Sequence, residues 1–227
     1  MFKNKKTAAI IVAAGRGKRM GGVDKVFAPL AGKPVLAWSA EVFQQSLLIG
    51  QIVIVLSKNN IEPGKKLVAD MGWSKVSHVC AGGEERQQSV ANGLELLEDC
   101  QWVLIHDGAR PLISEALIKD GLKAAEKSGA AVAALPVTDT IKLADDDNFV
   151  IGTPPRKSLW AVQTPQVFQF DIIIQAHRLA GSMATDDASL VERLNHRVKL
   201  YGGSYDNIKI TTPADLAIAE TLLKRRA

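Results

Sequence analysis

Four cations crowd a glycine-rich stretch near the amino terminus. In TAAIIVAAGRGKRMGGVDKVF (7–27), an apolar run gives way to Gly15 and Gly17, with Arg16, Lys18, Arg19 and Lys25 around them. Glycines let backbone approach a ligand closely and turn successive N–H groups toward it. Cationic side chains added to such a nest suit phosphate. A solvated basic surface loop would look the same in isolation. The position directly after a first strand favours the ligand, because parallel sheets bind at the carboxyl ends of their strands.

Two familiar phosphate motifs fail here on particular residues. A dinucleotide fingerprint needs a third glycine where Met20 stands, and an acidic residue at the end of the second strand, where Ser57 and Lys58 stand instead. A Walker A loop would need glycine at Phe27 and serine or threonine at Pro34. What remains is two glycines followed by Arg19 and Lys25. Two cations and a nest of amides suit a triphosphate, whose charge must be neutralised as pyrophosphate leaves.

Two further loops carry candidate chemistry. HDGARP (106–111) places Asp107 at the end of an apolar run, where a Mg²⁺ ligand would belong, with Arg110 three residues on as a second anion holder. An aspartate capping a turn beside a salt bridge reads equally well. GGEERQQSV (82–90) turns from a strand into a helix: Gly82 and Gly83 permit close approach, free N–H groups follow, and Ser89 could bond a base edge. A plain capping region is the simpler reading of that stretch alone. His78, His106, His177 and His196 show no metal-ligand spacing, and no G-x-S-x-G elbow exists. The missing general base is informative. A phosphate monoester, with a second pKa near ~6, is already largely dianionic at neutral pH and needs positioning rather than deprotonation.

These loops need a scaffold. Apolar runs at AAIIVAA (8–14), QIVIVLS (51–57), KVSHVCA (75–81), WVLIHD (102–107) and AAVAALPV (130–137) alternate with amphipathic stretches at 34–46, 61–71, 85–98 and 114–128. Nearly continuous Val, Ile and Leu marks strands covered on both faces. The alternation predicts an α/β, Rossmann-like fold: a mostly parallel twisted sheet with helices on both faces and right-handed crossovers. The suspicious loops then fall together at one edge. Residues 138–165 break the rhythm with short alternating runs, an acidic turn and Pro154-Pro155, and read as an inserted β-arm. The body is then residues 1–137 with 166–227. Helical patterns return at 170–181 and 186–195, extended segments follow at VKLYGG (198–203) and NIKIT (207–211), and Thr212-Pro213 is an N-cap and first turn.

A chain of 227 residues with 47% hydrophobic and 23% charged residues can bury one good core. A net charge of +4 suits an anionic small molecule at least as well as nucleic acid, and no basic helix is interleaved with aromatics as RNA binding would favour. The run Ala8–Ala14 is too short to span a bilayer and reads as a buried strand. Cys80 and Cys100 form no C-x-x-C pair. They read as buried free thiols in a reducing cytoplasm.

Taken in order, AAGRGKRM, Lys25, GGEERQQSV, HDGARP, DTIK, Arg156 with TPQ (164–166), TDDAS and DNIKIT resemble the 2-C-methyl-D-erythritol 4-phosphate cytidylyltransferase family of isoprenoid synthesis over nearly the whole chain. The resemblance implies in-line attack of the sugar phosphate on the α-phosphorus of CTP, giving 4-diphosphocytidyl-2-C-methyl-D-erythritol and pyrophosphate. It implies that Ala13, Ala14, Gly15, Gly82 and Ser89 hold CTP, as Gly17 does through the glycine loop, and that Arg19, Lys25 and Lys209 stabilise the transition state. It further implies Mg²⁺ on Asp107, and Arg110, Thr140, Arg156, Thr164, Thr185 and Asp206 around the sugar phosphate. In this family the arm clasps a second subunit, and Arg156 would reach the partner's site. One departure stands out: Asp24-Lys25-Val26 replaces the more usual Pro-Lys-Gln, which leaves the path of the loop open. The alternatives are the related ribitol-5-phosphate cytidylyltransferase, an NAD-dependent dehydrogenase and a non-enzymatic nucleotide-binding module.

Overall fold

The computed structural model describes residues 6–15, 24–181 and 184–226. Gly17 and Arg19 therefore lie outside the described residues. In chain order the elements are β1 (Thr7–Ala13), β2 (Pro29–Leu30), β3 (Lys33–Pro34), α1 (Val35–Gln45), β4 (Gln51–Leu56), α2 (Ile61–Asp70), β5 (Val76–Ala81) and α3 (Arg86–Leu94). There follow β6 (Trp102–Asp107), α4 (Glu115–Ser128), β7 (Ala130–Pro136), β8 (Leu143–Ala144), β9 (Val150–Gly152) and β10 (Trp160–Gln169). The chain closes with α5 (Phe170–Arg178), α6 (Asp187–Arg193), β11 (Lys199–Gly202) and α7 (Pro213–Lys224).

Among the described residues, seven strands form one sheet in the order β11-β7-β10-β6-β1-β4-β5. Strand β1 lies between β4 and β6, parallel to both, with Ile10 opposite Val53 on one side and Ile105 on the other. Side chains alternate across a strand, and the sequence fills both faces. Ala9, Ile11, Ile52, Ile54, Leu104 and Ala131 pack against α1 and α4. Ala8, Ile10, Val53, Val55, Val103 and Ile105 pack against α3, α5 and α6. Helix α3 lies very close to the sheet: a Cβ on Gly93 would stand 2.8 Å from Ile10 Cγ2 and 3.0 Å from Val55 Cγ2. That closeness holds the last turn of the helix directly on β1 and β4. Thr212 is the N-cap of α7 with Pro213 in its first turn, as the sequence predicts, and Asp215 Oδ2 accepts from the Thr212 N–H at 2.8 Å.

Two expectations need correction. Strand β10 is antiparallel to β6 and β7, and it begins at Trp160, so the sheet takes in the last residues of the 138–165 segment. Its register breaks between Val162 and Gln166, around Thr164 and Pro165. The remainder of that segment carries the two-stranded β8–β9 hairpin. Residues 207–211 join no ladder. Instead Asn207 Nδ2 donates to the Thr164 carbonyl at 2.8 Å, and Ile210 N–H to the Ala109 carbonyl at 2.8 Å. One side-chain-to-backbone bond and one isolated backbone bond hold this segment where a strand ladder would otherwise. No helix among the described residues is long and apolar enough to cross a membrane.

Candidate active site

Strand β6 is buried along its whole length and delivers Asp107 to the carboxyl edge of the sheet, its side chain only 10% exposed. An ionised carboxylate there requires compensation. Three cations supply it. Lys209 Nζ lies 2.8 Å from Asp107 Oδ2, Arg110 Nε 3.6 Å from the same oxygen, and Arg86 Nε 3.4 Å from Oδ1. Burial pushes the Asp107 pKa up, but Lys209, Arg86 and Arg110 together overcome it and hold the group well below the usual carboxylate range. It is an anion at any ordinary pH.

A cleft of about 190 Å³ opens over this cluster. Val12, Ala13, Ala14 and Gly15 supply one wall from the end of β1, and Gly83–Arg86 with Ser89 another from the β5–α3 turn. Lys25, Asp107, Ala109 and Lys209 complete it. The three loops singled out in the sequence thus converge at the carboxyl ends of parallel strands. The turns also fit each other sterically. A Cβ on Gly82 would stand 2.4 Å from Ala14 Cβ and 2.5 Å from Ser89 Oγ, so only glycine lets them close. Ser89 fastens that turn itself: its hydroxyl accepts from Gly83 N–H at 3.2 Å and donates to the Glu85 carbonyl at 3.1 Å.

Thr164 reaches Asp107 from β10. Its Oγ1 accepts from the Asp107 N–H at 3.0 Å and donates to His106 Nδ1 at 3.1 Å, while His106 Nε2 donates to the Arg110 carbonyl at 3.0 Å. Arg110 in turn donates to the Asn207 carbonyl at 2.7 Å, while the carboxylate of the preceding Asp206 meets Arg226 at 3.4 Å. Thr185 is exposed just before α6. Thr140 and Arg156 lie exposed between β7 and β10, where Arg156 donates to the Thr138 carbonyl at 2.8 Å. None of these three lines the cleft.

Arg86 and Asp187 extend the cluster, although sequence reasoning does not single them out. Arg86 bridges Asp107 and Asp187, with NH1 2.7 Å from Asp187 Oδ2. Asp187 is itself buried and also meets His177 Nε2 at 3.3 Å. Burial opposes the charge on Arg86, but Asp187 and Asp107 outweigh it, and its pKa is raised. The one signal for Arg86 in the sequence is its place directly after the Gly-Gly turn.

The site is therefore a cleft in which the buried Asp107 is ringed by Lys209, Arg86 and Arg110, with Lys25, Glu84 and Glu85 also among its walls, and no histidine among the described residues lines it. The cluster of cations is the part that suits an anion. A family model described as 2-C-methyl-D-erythritol 4-phosphate cytidylyltransferase matches residues 7–225. The chain belongs to this family. A 2-C-methyl-D-erythritol 4-phosphate cytidylyltransferase of Dehalococcoides mccartyi is 55% identical to it over 99% of each chain, and one of Alkaliphilus oremlandii 48% identical over 97% of this chain and 96% of that one. The crystal structure of 4-diphosphocytidyl-2C-methyl-D-erythritol synthase from Anaerococcus prevotii superposes with a TM-score of 0.86 at 32% identity, covering 97% of this chain and 99% of that one. The 2-C-methyl-D-erythritol 4-phosphate cytidylyltransferase structure from Thermus thermophilus gives 0.78 at 33% identity, covering 95% and 98%. Cytidylyltransferase relatives thus share this chain's full length and fold.

The buried His106 gives this member of the family a measurable pH signature. Burial, only partly offset by the bond to the Arg110 carbonyl, pushes its pKa down to about 4. As pH falls, the unfolded chain takes up the proton first. The stability from this group is complete above about pH 6.5 and is lost as pH falls to about 4, a span worth about 3 kcal/mol. Denaturant unfolding in metal-free buffer is expected to show this slope in the parent and not in His106→Gln. Parallel curves for the two would contradict it.

Proposed function

We propose that the protein joins CTP to 2-C-methyl-D-erythritol 4-phosphate, releasing pyrophosphate and 4-diphosphocytidyl-2-C-methyl-D-erythritol. The observation that carries this reading is the cluster of Lys209, Arg86 and Arg110 on Asp107, set in a cleft that Lys25 also lines. The family supplies the nucleotide and the sugar phosphate. A phosphate oxygen of the sugar phosphate attacks the α-phosphorus in line. One P–O bond forms, the α–β bridging bond breaks, and pyrophosphate leaves with its electron pair. No proton need be removed from a largely dianionic phosphate. Lys25, Lys209 and Arg19 offset the charge that grows on the transferring group. Ala13, Ala14, Gly15, Gly17, Gly82 and Ser89 hold the nucleotide, while Arg110, Thr164, Thr185 and Asp206 face the sugar phosphate.

Asp107 fits Mg²⁺ in one particular way. Among the described residues no group of three or more His, Cys, Asp or Glu side chains could hold a metal. A single ionised carboxylate matches an ion that typically binds one or two carboxylates together with substrate phosphates. Held there, the metal would add charge neutralisation and alignment of the phosphates.

The arm supports a homodimer. Leu143, Phe149, Val150 and Ile151 are 52%, 72%, 60% and 67% exposed, a run of apolar side chains that a second copy would cover. Thr140 and Arg156 would then serve the partner's cleft. Sedimentation is expected to show a dimer for the parent and a monomer for Phe149→Asp with Ile151→Asp; a monomeric parent would remove this part of the reading. Cys80 and Cys100 are free, which fits a reducing cytoplasm.

Pyrophosphate release with CTP and Mg²⁺ tests the central claim. It is expected with the erythritol phosphate and not with ribitol 5-phosphate. The reverse preference would install the sibling reading, and CTP binding without turnover on either would leave a binding module.

A further inference from the structure

The residue before Lys25 is an aspartate, and the structure gives it three jobs in one turn. The Asp24 carbonyl accepts from Phe27 N–H at 3.1 Å, closing the turn 24–27. Its carboxylate Oδ1 accepts from Val26 N–H at 3.1 Å, the bond of an Asx turn. Its Oδ2 accepts from Asn60 Nδ2, which sits between β4 and α2. Beyond Lys25 the chain is fastened again: Val26 is 1% exposed in the main core, and its carbonyl accepts from Leu36 N–H at 2.9 Å. Lys25 is thus flanked by a hydrogen-bonded tether and a buried anchor. Asp24 and Asn60 line the hollow next to the cleft, which shares Ala14, Gly83 and Glu84 with it.

We propose that the Asp24–Asn60 pair is a positioning device for Lys25, fixing the backbone from which the ammonium reaches the transferring phosphate. A proline would impose the turn through its ring; here hydrogen bonds to a neighbouring loop impose it. The inference rests on the nucleotidyl-transfer reading for its consequence, but not for its geometry. Displacing a charge-bearing group by about 1 Å costs on the order of 10²-fold in rate. Loosening the tether is therefore expected to lower kcat by about tenfold to about 100-fold while leaving KM for CTP within about twofold.

The test compares the parent with Asp24→Ala, Asp24→Asn, Asn60→Ala and the Asp24→Ala/Asn60→Ala double variant. Each is assayed for kcat and KM with CTP and Mg²⁺, and for amide exchange at Val26 and Phe27. Asp24→Ala and Asn60→Ala are expected to lose kcat, and Asp24→Asn to retain most of it, because an amide oxygen still accepts from Val26 and Asn60 can flip to meet the amide. The double variant is expected to be no slower than Asp24→Ala, since both break one contact. Protection at Val26 is expected to fall in Asp24→Ala. Parent-like kcat in Asp24→Ala, or losses in the two single variants that add in the double, would overturn the proposal. A parent with no turnover would sink the catalytic reading instead, and unchanged exchange at Val26 would then still decide against the tether.

Discussion

Lys209→Ala is expected to fold as the parent does and to lose roughly 10²–10³ in kcat, the usual loss when one preorganised charge-stabilising group is removed. The ammonium sits 2.8 Å from Asp107 at the floor of the cleft, on a side chain 39% exposed. That exposure sets the cost of removing it from the fold. Asp107 is buried but keeps Arg86 and Arg110, and because the lysine side of the pair is more than a third exposed its loss is worth about 1 kcal/mol. Rate and stability therefore separate in this variant. Lys25→Ala should behave alike, because Lys25 lines the same cleft on a turn anchored by buried Val26. The measurement is kcat, with KM for CTP and a urea midpoint alongside. Near-parent turnover in either variant would reject the role assigned to that lysine.

Asp187→Ala should do the opposite and damage the fold. The carboxylate is 1% exposed and holds Arg86 NH1 at 2.7 Å. Its removal leaves a guanidinium with Asp107, at 3.4 Å, as its one remaining carboxylate among the described residues. Breaking a buried pair from one side typically costs about 3–5 kcal/mol, and the partial exposure of Arg86 points to the lower end of that range. Removing both members avoids the orphaned charge. Arg86→Met with Asp187→Leu is expected to unfold at a higher denaturant midpoint than Asp187→Ala, although two residues have changed. If the double variant is the less stable by the full sum of the single losses, the pair is not a coupled unit.

Much of this scaffold is legible in the residues themselves. AAIIVAA, QIVIVLS and WVLIHD are apolar on both faces because both faces are covered, and such runs announce themselves. The loops after them fall at one edge by topology alone. Strand β10 is another matter. WAVQTPQVFQ mixes exposed Trp160 and Val162 with buried Gln163 and Gln166, and carries a proline, all of which argue against an interior strand. Its buried glutamines are satisfied by distant partners: Gln166 bonds Asp186 and the Ala188 N–H, and Gln163 bonds the Ser204 carbonyl. The same distance hides the Arg86–Asp187 pair, whose members lie 101 residues apart. TDDAS is conspicuous in the sequence, yet its two aspartates work on the fold: Asp186 caps α6 by accepting from Ser189 N–H, and Asp187 neutralises Arg86.

The reversed direction of β10 has a practical corollary for handling the molecule. Trp160 pairs with Pro136 at the finish of β7, so the hairpin leaves the sheet on the same rim as Asp107. Arg226 contacts Asp206 and the Leu112 carbonyl there too. Lys6 stands at the far rim, where β1 starts, beside Asp99. A purification tag, dye or surface linkage joined ahead of Lys6 would keep clear of the working side, whereas one joined after Arg226 would begin next to it.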